Sequence, residues 1–412
     1  MSGTPLGGAP GHRPPVDFDL HGIVRVRLLD PAPEDVATLT RQLGPLAGPA
    51  TGNPDITVRF VDELVPPETL TYAGWPDCAR AGDGFYLLRG KDGVAARTLI
   101  PVDDVGGRCD IVSERRAGHV PHLLAIVNMT ALAKDVVPLH ASAFTYRGAG
   151  VLAMGWAKGG KTETLLAFAA RGAHYVGDEW VYLTPDGDMY GVPEPIRLWD
   201  WHVAQLPELR ASLGPAVRAR LGLLPAAASS AARWAGTRRG LPASVLRRAA
   251  PVLRRQAYVQ VPPARLFGAA AIDLRGRLDH VLLVATHDSD EVIVEALPGA
   301  TVAARMLASL EEERSPFLQM YRQFRYLFPD RRSRCVDEAG STERRLLDHV
   351  LGARTAHLLR HPYPVRLDSL VRPVEAILDE SCQQGARNGV HNRTGTCLPV
   401  ATPGDGGHGS RG

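Results

Sequence analysis

Cysteine is scarce in this chain of 412 residues: five copies, odd in number and widely scattered at 78, 109, 335, 382 and 397. That usage implies no disulfide framework. No C-x-x-C pair or Cys/His grouping suggests zinc, and a reducing cytoplasm is the simplest setting. Long apolar runs are missing too. The most apolar stretch, Val120 to Ala133, contains His122, Asn128 and Thr130 and is shorter than the roughly 20 residues a membrane-spanning helix needs. The N-terminal residues MSGTPLGGAPGHRPP have no apolar core of the secretory kind. A soluble protein without a membrane partner is expected. Neither sign of charge dominates: the formal net charge is +3, which makes no case for nucleic acid.

One absence is local. Arg210 to Arg255 holds ten arginines and no Asp or Glu. The stretch is Ala-rich and interrupted by Pro215, Pro225, Pro242 and Pro251, so it reads as a helical insertion at about 205–256 with mobile joints. Paired arginines at 238–239, 247–248 and 254–255 could clamp carboxylates or phosphates. A solvated surface accounts for them as well. Trp234 is the only aromatic there, so base stacking has little support.

What is present is a phosphate loop. Gly155-Trp156-Ala157-Lys158-Gly159-Gly160-Lys161-Thr162 fits G-x-x-x-x-G-K-[ST] at every defined position. Val151 to Met154 before it reads as a buried strand, and Thr162 to Ala170 after it as a helix. Backbone N–H groups and the helix dipole then favour an anion at the turn. Gly155, Lys158, Gly159, Gly160, Lys161, Thr162 and Glu163 are the expected nucleotide contacts. Lys161 would reach the β- and γ-phosphates and Thr162 would join the Mg²⁺ shell. Glu163 fits best as a first-turn acid favoured by the dipole.

Around the loop the chain divides as follows. Residues 1–16 are Gly/Pro-rich and expected to be disordered. Residues 17–118 read as a small α+β domain: strands at Gly22–Leu29, Asp55–Val61, Gly84–Leu88 and Thr98–Val102, and a helix at Pro33–Leu43. Residues 119–382 read as the loop-bearing domain. Within it, Val120–Val136 is a buried linking helix. Pro138–Phe144 is a strand turning through Gly148 and Gly150 into the loop strand, so that His140 lies on its antiparallel neighbour. Ala173–Leu183 is one long strand, and 189–192 and 195–198 are short extended pieces. Later strands fall at Tyr258–Val261, His280–Ala285, Glu291–Glu295 and Leu359–Leu367, and helices at Thr301–Leu310, Pro316–Tyr326, Ser341–Leu351 and Ser369–Leu378. The tail 383–412 lacks periodicity and is expected to be disordered. There are no internal repeats.

A phosphate loop needs an acidic partner. Asp178, seventeen residues after Lys161, is the first candidate. It lies on the strand directly following the loop helix, far earlier than the Mg²⁺ acid of GTPases and most P-loop ATPases. Glu179 beside it would face the other way on a continuous strand.

His140-Ala-Ser-Ala, Gly150-Val151-Leu152, the loop continued as Lys161-Thr162-Glu163-Thr164, Arg171-Gly172 and Val176-Gly177-Asp178-Glu179 together resemble the catalytic domain of HPr kinase/phosphorylase, which shares its core with phosphoenolpyruvate carboxykinase. The resemblance covers His140 to Leu198. It implies an α/β (α+β) fold with a mostly mixed-antiparallel sheet, and ATP with Mg²⁺ as cofactors. Residue by residue it implies Lys161 on the phosphates, Thr162 on the metal, and Asp178 as the base for the acceptor hydroxyl and near the metal. It also implies Glu179 in the metal shell and His140 beside the transferring phosphate. HPr kinases are hexamers, so a homo-oligomer is implied too.

Two departures shape the expected substrate. The Leu-Glu-Ile-Arg-Gly-type run of HPr kinases is missing. Gly191-Val192-Pro193-Glu194-Pro195-Ile196-Arg197-Leu198 is instead similar to the G-x-P-x-P-[IL]-x-L run of HPr-kinase-related small kinases, with Arg197 as a candidate substrate contact. The loop also reads Ala157-Lys158 where relatives usually have Ser-Gly. The expected function is transfer of the γ-phosphate of ATP to a Ser/Thr hydroxyl of a peptide or protein, such as a ribosomal precursor peptide. A kinase of free serine or a similar metabolite, and a nucleotide-binding regulator without transfer, are the alternatives.

Overall fold

In a computed structural model, residues 13–236, 248 and 256–387 are described. Most of the expected disordered ends, and of the paired arginines, lie outside that range. The fold is mixed α+β, built on two nine-stranded sheets and one two-stranded ribbon.

The first sheet takes β1 (Val16–Leu20), β2 (Val24–Leu29), β3 (Ala47–Pro49), β4 (Ile56–Val61), β5 (Thr71–Ala73), β6 (Cys78–Ala81), β7 (Gly84–Arg89), β8 (Ala95–Leu99) and β9 (Cys109–Glu114) in the order β3-β1-β2-β4-β9-β8-β7-β6-β5. Its patterning is period two: Val24, Val26 and Leu28 are buried and the intervening arginines partly exposed. Helix α1 (Pro33–Leu43) keeps the expected bounds. Proline starts it, Glu34 and Asp35 fill its first turn, and Gly44 ends it at φ 80°. Strand β1 begins within the stretch expected to be disordered. It pairs with β2 across a turn at His21 and Gly22, both at positive φ.

The second sheet takes β10 (Val137–Tyr146), β11 (Ala149–Met154), β12 (His174–Gly177), β13 (Trp180–Leu183), β14 (Asp188–Gly191), β17 (Arg275–Arg277), β18 (His280–Thr286), β19 (Ile293–Pro298) and β20 (Thr355–His361). The order is β17-β14-β13-β10-β11-β18-β20-β19, with β12 also on β10. The β11–β18 and β18–β20 pairs are parallel and the others antiparallel. The C-terminal ends of β11, β18 and β20 therefore meet on one side of the sheet, which is where the loop lies. One face is covered by α3 (Lys161–Ala169) and α10 (Leu367–Arg387), and Phe144 stacks on Phe168 at 5.0 Å. The opposite core joins the second sheet to the first through α2 (Leu123–Ala133), α8 (Gly299–Leu327) and α9 (Arg334–Leu351).

The ribbon β15 (Ile196–Trp199) and β16 (Tyr258–Val261) pairs Trp199 with Tyr258, so the Arg-rich excursion leaves and returns at one place. Its described part is α4 (Asp200–Ala204), α5 (Pro207–Ser212) and α6 (Pro215–Gly236). A short helix α7 (Ala264–Phe267) follows the ribbon.

Expectations at the prolines and at two strands change. Pro225 does not break α6, and Pro316 does not divide α8. Val302, Met306 and Leu310 before Pro316 continue as Phe317, Met320 and Phe324 after it on one buried face. Burial of that face offsets the roughly 3 kcal/mol that an interior proline costs. The long strand 173–183 is two strands, broken at Asp178 and Glu179. Glu179 adopts φ 70°, and the Trp180 N–H donates back to the Asp178 carbonyl at 2.9 Å. The strand at 359–367 is displaced, running from Thr355 only to His361.

Candidate active site

The loop is fixed from below by neighbouring strand ends. A Cβ on Gly155 would stand 2.3 Å from the Val284 carbonyl oxygen at the end of β18. Gly160, at φ 106°, is even tighter: a Cβ there would fall 1.8 Å from His361 Nε2 at the end of β20. The His361 ring bridges the carbonyls of Gly159, at 3.1 Å, and Pro362, at 2.8 Å. Lys158 holds φ 63° and is exposed, a conformation that glycine adopts more readily than lysine. Its ammonium stands at the rim.

Lys161, the first residue of α3, is buried, and its Nζ donates to the carbonyls of Gly155 (3.1 Å) and Trp156 (3.0 Å). Burial lowers its pKa, opposed by Asp178, Glu179 and Glu313. Its charge is thus parked on loop carbonyls next to the helix N-terminus.

The broken strand aims its two acids at different partners. Asp178 is enclosed; it accepts from Ser142 Oγ, and Thr162 Oγ1 donates to both its oxygens at 3.2 Å. Burial, then the Glu179 charge, pushes its carboxyl up to about 6, the two hydroxyls pulling the other way. Glu179 Oε2 lies 3.1 Å from His140 Nε2, and His140 Nδ1 contacts Glu313 Oε1 on α8. Both ring nitrogens face carboxylates, so both must donate, and the ring is an imidazolium. Burial alone would lower its pKa; Glu179 and Glu313 outweigh that and raise it to about 9. In return the His140 hydrogen bond holds Glu179 and Glu313 below the usual carboxylate range. Glu194, between β14 and β15, is pushed up to about 7 by burial and by the charges of Glu179 and Asp178. A cleft of about 270 Å³ opens between the loop and α8, with Trp156, Glu312, Glu313 and Ser315 in its walls.

The expected residues thus fall into groups. Lys161, Thr162, Asp178, Glu179 and His140 converge. Arg197 is exposed, its guanidinium 5.0 Å from the Tyr258 ring centre and its charge felt at Glu179. The Glu163 side chain has a different partner: it is buried and accepts from His202 Nε2 at 3.2 Å. The Trp199 N–H donates to Nδ1 of that ring, so Nε2 carries the hydrogen. The Glu163 carboxylate thus braces α3 against α4.

Four participants were not anticipated. Ser142 shares a face with His140 two residues away, so strand period could have found it. Glu194 stands inside the quoted run at 191–198. Glu313 and His361 come from distant elements and carry no local signal.

Among the described residues, no group of three or more His, Cys, Asp or Glu could hold a metal alone. Thr162 Oγ1 and Asp178 offer hard oxygens at the loop, which fits Mg²⁺, an ion usually held by one or two carboxylates plus substrate phosphates and water. No helix of the described residues is long and apolar enough to cross a membrane. The chain matches no family model, and no curated protein matches it.

Proposed function

We propose that the chain is an ATP-dependent kinase with an HPr-kinase-like core that phosphorylates a Ser or Thr hydroxyl, on a peptide or protein. The observation that carries this reading is the contact between the Thr162 hydroxyl and the enclosed Asp178 carboxylate. A carboxylate whose pKa is raised, at the mouth of the loop, suits the role of a base for the acceptor hydroxyl. Asp178 is mostly ionised at neutral pH yet close enough to it to take a proton efficiently.

In this reading Lys161 leaves its loop carbonyls for the β- and γ-phosphates, which are also cradled by N–H groups at the start of α3. Thr162 Oγ1 and Asp178 would hold Mg²⁺, which would supply charge neutralisation for the phosphates. The acceptor enters through the cleft beside α8. Its oxygen forms a bond to the γ-phosphorus as the bridging bond to the β-phosphate breaks, and its proton passes to Asp178. Ser142 and Thr162 keep that carboxylate oriented. The His140 imidazolium adds positive charge beside the transferring group without acting as a base. Such positioning and charge stabilisation are the main demands of phosphoryl transfer.

The test is incubation with γ-labelled ATP, Mg²⁺, Ser-containing peptides and free serine. Stable label on a peptide hydroxyl supports the reading. Preferential labelling of free serine makes the acceptor a metabolite. ATP binding with no labelled acceptor of any size makes the protein a nucleotide-binding regulator and defeats the proposal.

A further inference from the structure

The cleft of about 270 Å³ between the loop and α8 has two unlike walls. On the loop side stands Trp156, its ring 54% exposed. On the α8 side stand Glu312 and Glu313, with Ser309, Ser315 and Pro316 beside them. None of the described residues lining the cleft carries a positive charge. Of the cations near it, Lys161 is held on loop carbonyls, His140 is shared between Glu179 and Glu313, and Lys158 stands at the rim of the loop. Glu312 is exposed and has no ion pair among the described residues.

An aromatic wall facing a carboxylate wall selects what can fill the space between them. An anion is repelled by both glutamates. A purely apolar group covers the carboxylates without giving them a partner, which costs their hydration. A cation on an apolar stem satisfies both walls at once. Its stem lies along Trp156 and Pro316, and its charged head meets the ring face and the carboxylates. Lys and Arg are the side chains built that way. Arg adds a flat guanidinium that stacks on an indole and forks onto a carboxylate.

We propose that this cleft takes a Lys or Arg side chain of the acceptor polypeptide, close in sequence to the Ser or Thr that is phosphorylated. The inference rests on the reading of the chain as a kinase and names its substrate class, a hydroxyl residue in a basic stretch. Glu313 fixes the spacing. It stands in the cleft wall and also holds His140, whose other nitrogen meets Glu179 next to Asp178. An extended peptide advances about 3.3 Å per residue, so the basic residue falls within about three residues of the acceptor. Free serine has no side chain to place there.

The test is fluorescence anisotropy of labelled peptides with one central Ser, titrated with the full chain with and without Mg²⁺ and a non-hydrolysable ATP analogue. Transfer kinetics of the same peptides with ATP follow. One series places a single Arg at each position within about three residues of the Ser, and matched series carry Lys, Ala or Glu there. At one or more positions the Arg peptide should bind about tenfold tighter than the Ala peptide, with Lys between them and Glu weakest. The same order should appear in KM, with kcat little changed. Glu312→Lys, on an exposed helix position, should erase the preference. Trp156→Leu keeps apolar bulk and removes the π face; it should weaken the Arg peptide about threefold and leave nucleotide affinity within about twofold. The proposal falls if Arg, Ala and Glu peptides bind alike, or if Glu312→Lys keeps the preference. It falls too if Trp156→Leu weakens the nucleotide and not the peptide, which gives the ring to the base. Arg peptides that bind with this preference and are never phosphorylated support the cleft assignment and defeat the kinase reading. Phosphorylation indifferent to basic residues does the reverse.

Discussion

Replacing Asp178 by Asn should make the nucleotide-free protein more stable at alkaline pH while removing the proposed base. The Asp178 carboxyl is enclosed, and burial reinforced by Glu179 raises it from 3.8 to about 6. The difference, about two units at 1.36 kcal/mol each, puts the strain of the ionised form at up to about 3 kcal/mol. The unfolded carboxyl loses its proton near 3.8 and the folded one only near 6. Native stability therefore falls as pH rises through that window and levels off above it. Asparagine keeps an acceptor oxygen for Ser142 and Thr162 and has no proton to lose. The gain should be close to zero near pH 4 and grow to about 1–3 kcal/mol by about pH 8. Guanidinium unfolding curves of both proteins at three pH values measure it. A variant less stable than wild type at about pH 8, or a pH-independent gap, would refute the reasoning.

Other predictions follow from the same geometry. His140, raised to about 9, contributes stability that is full below 6.5 and lost as pH rises through 9. His140→Asn should remove up to about 3 kcal/mol of that slope, and an unchanged slope would contradict the imidazolium assignment. Gly160→Ala should abolish nucleotide binding through the clash with His361. Adding His361→Ala should restore part of it, leaving the cost of positive φ at about 1–2 kcal/mol; binding of a fluorescent nucleotide analogue measures both. Glu163→Gln should cost about 1–3 kcal/mol of stability through its buried partner His202. It should leave nucleotide affinity nearly unchanged, and a tenfold loss of affinity with the fold intact would put Glu163 back at the phosphates.

The parts of the site carried by local pattern were legible in the sequence. Strand, loop and α3 follow one another within a short stretch, and the turn at Arg147 and Gly148 ties His140 to them. Asp178 was legible by its closeness, but its environment was not, because Ser142 and Thr162 reach it only after β10, β11 and α3 have assembled. Glu313 lies 173 residues from His140, and nothing in the spacing of the helix around it announces a neighbour in the candidate site. The prolines misled for a related reason. Local propensity breaks a helix at Pro316, whereas the buried face running from Val302 to Phe324 holds it together. Glu179 is the reverse case: a strongly strand-like sequence yields one residue to positive φ, and that break points Asp178 and Glu179 at different partners.

The central claim is that Asp178 serves a phosphoryl transfer from ATP to a hydroxyl. Mass spectrometry of Ser-containing peptides after incubation with ATP and Mg²⁺ tests it most directly, with wild type and Asp178→Asn run side by side. The account predicts one added phosphoryl group on a Ser or Thr with wild type. It predicts transfer slower by about 10² to 10⁴ with the variant, which still binds ATP. Equal transfer by the two proteins, or ATP bound by wild type with no acceptor phosphorylated, would contradict it.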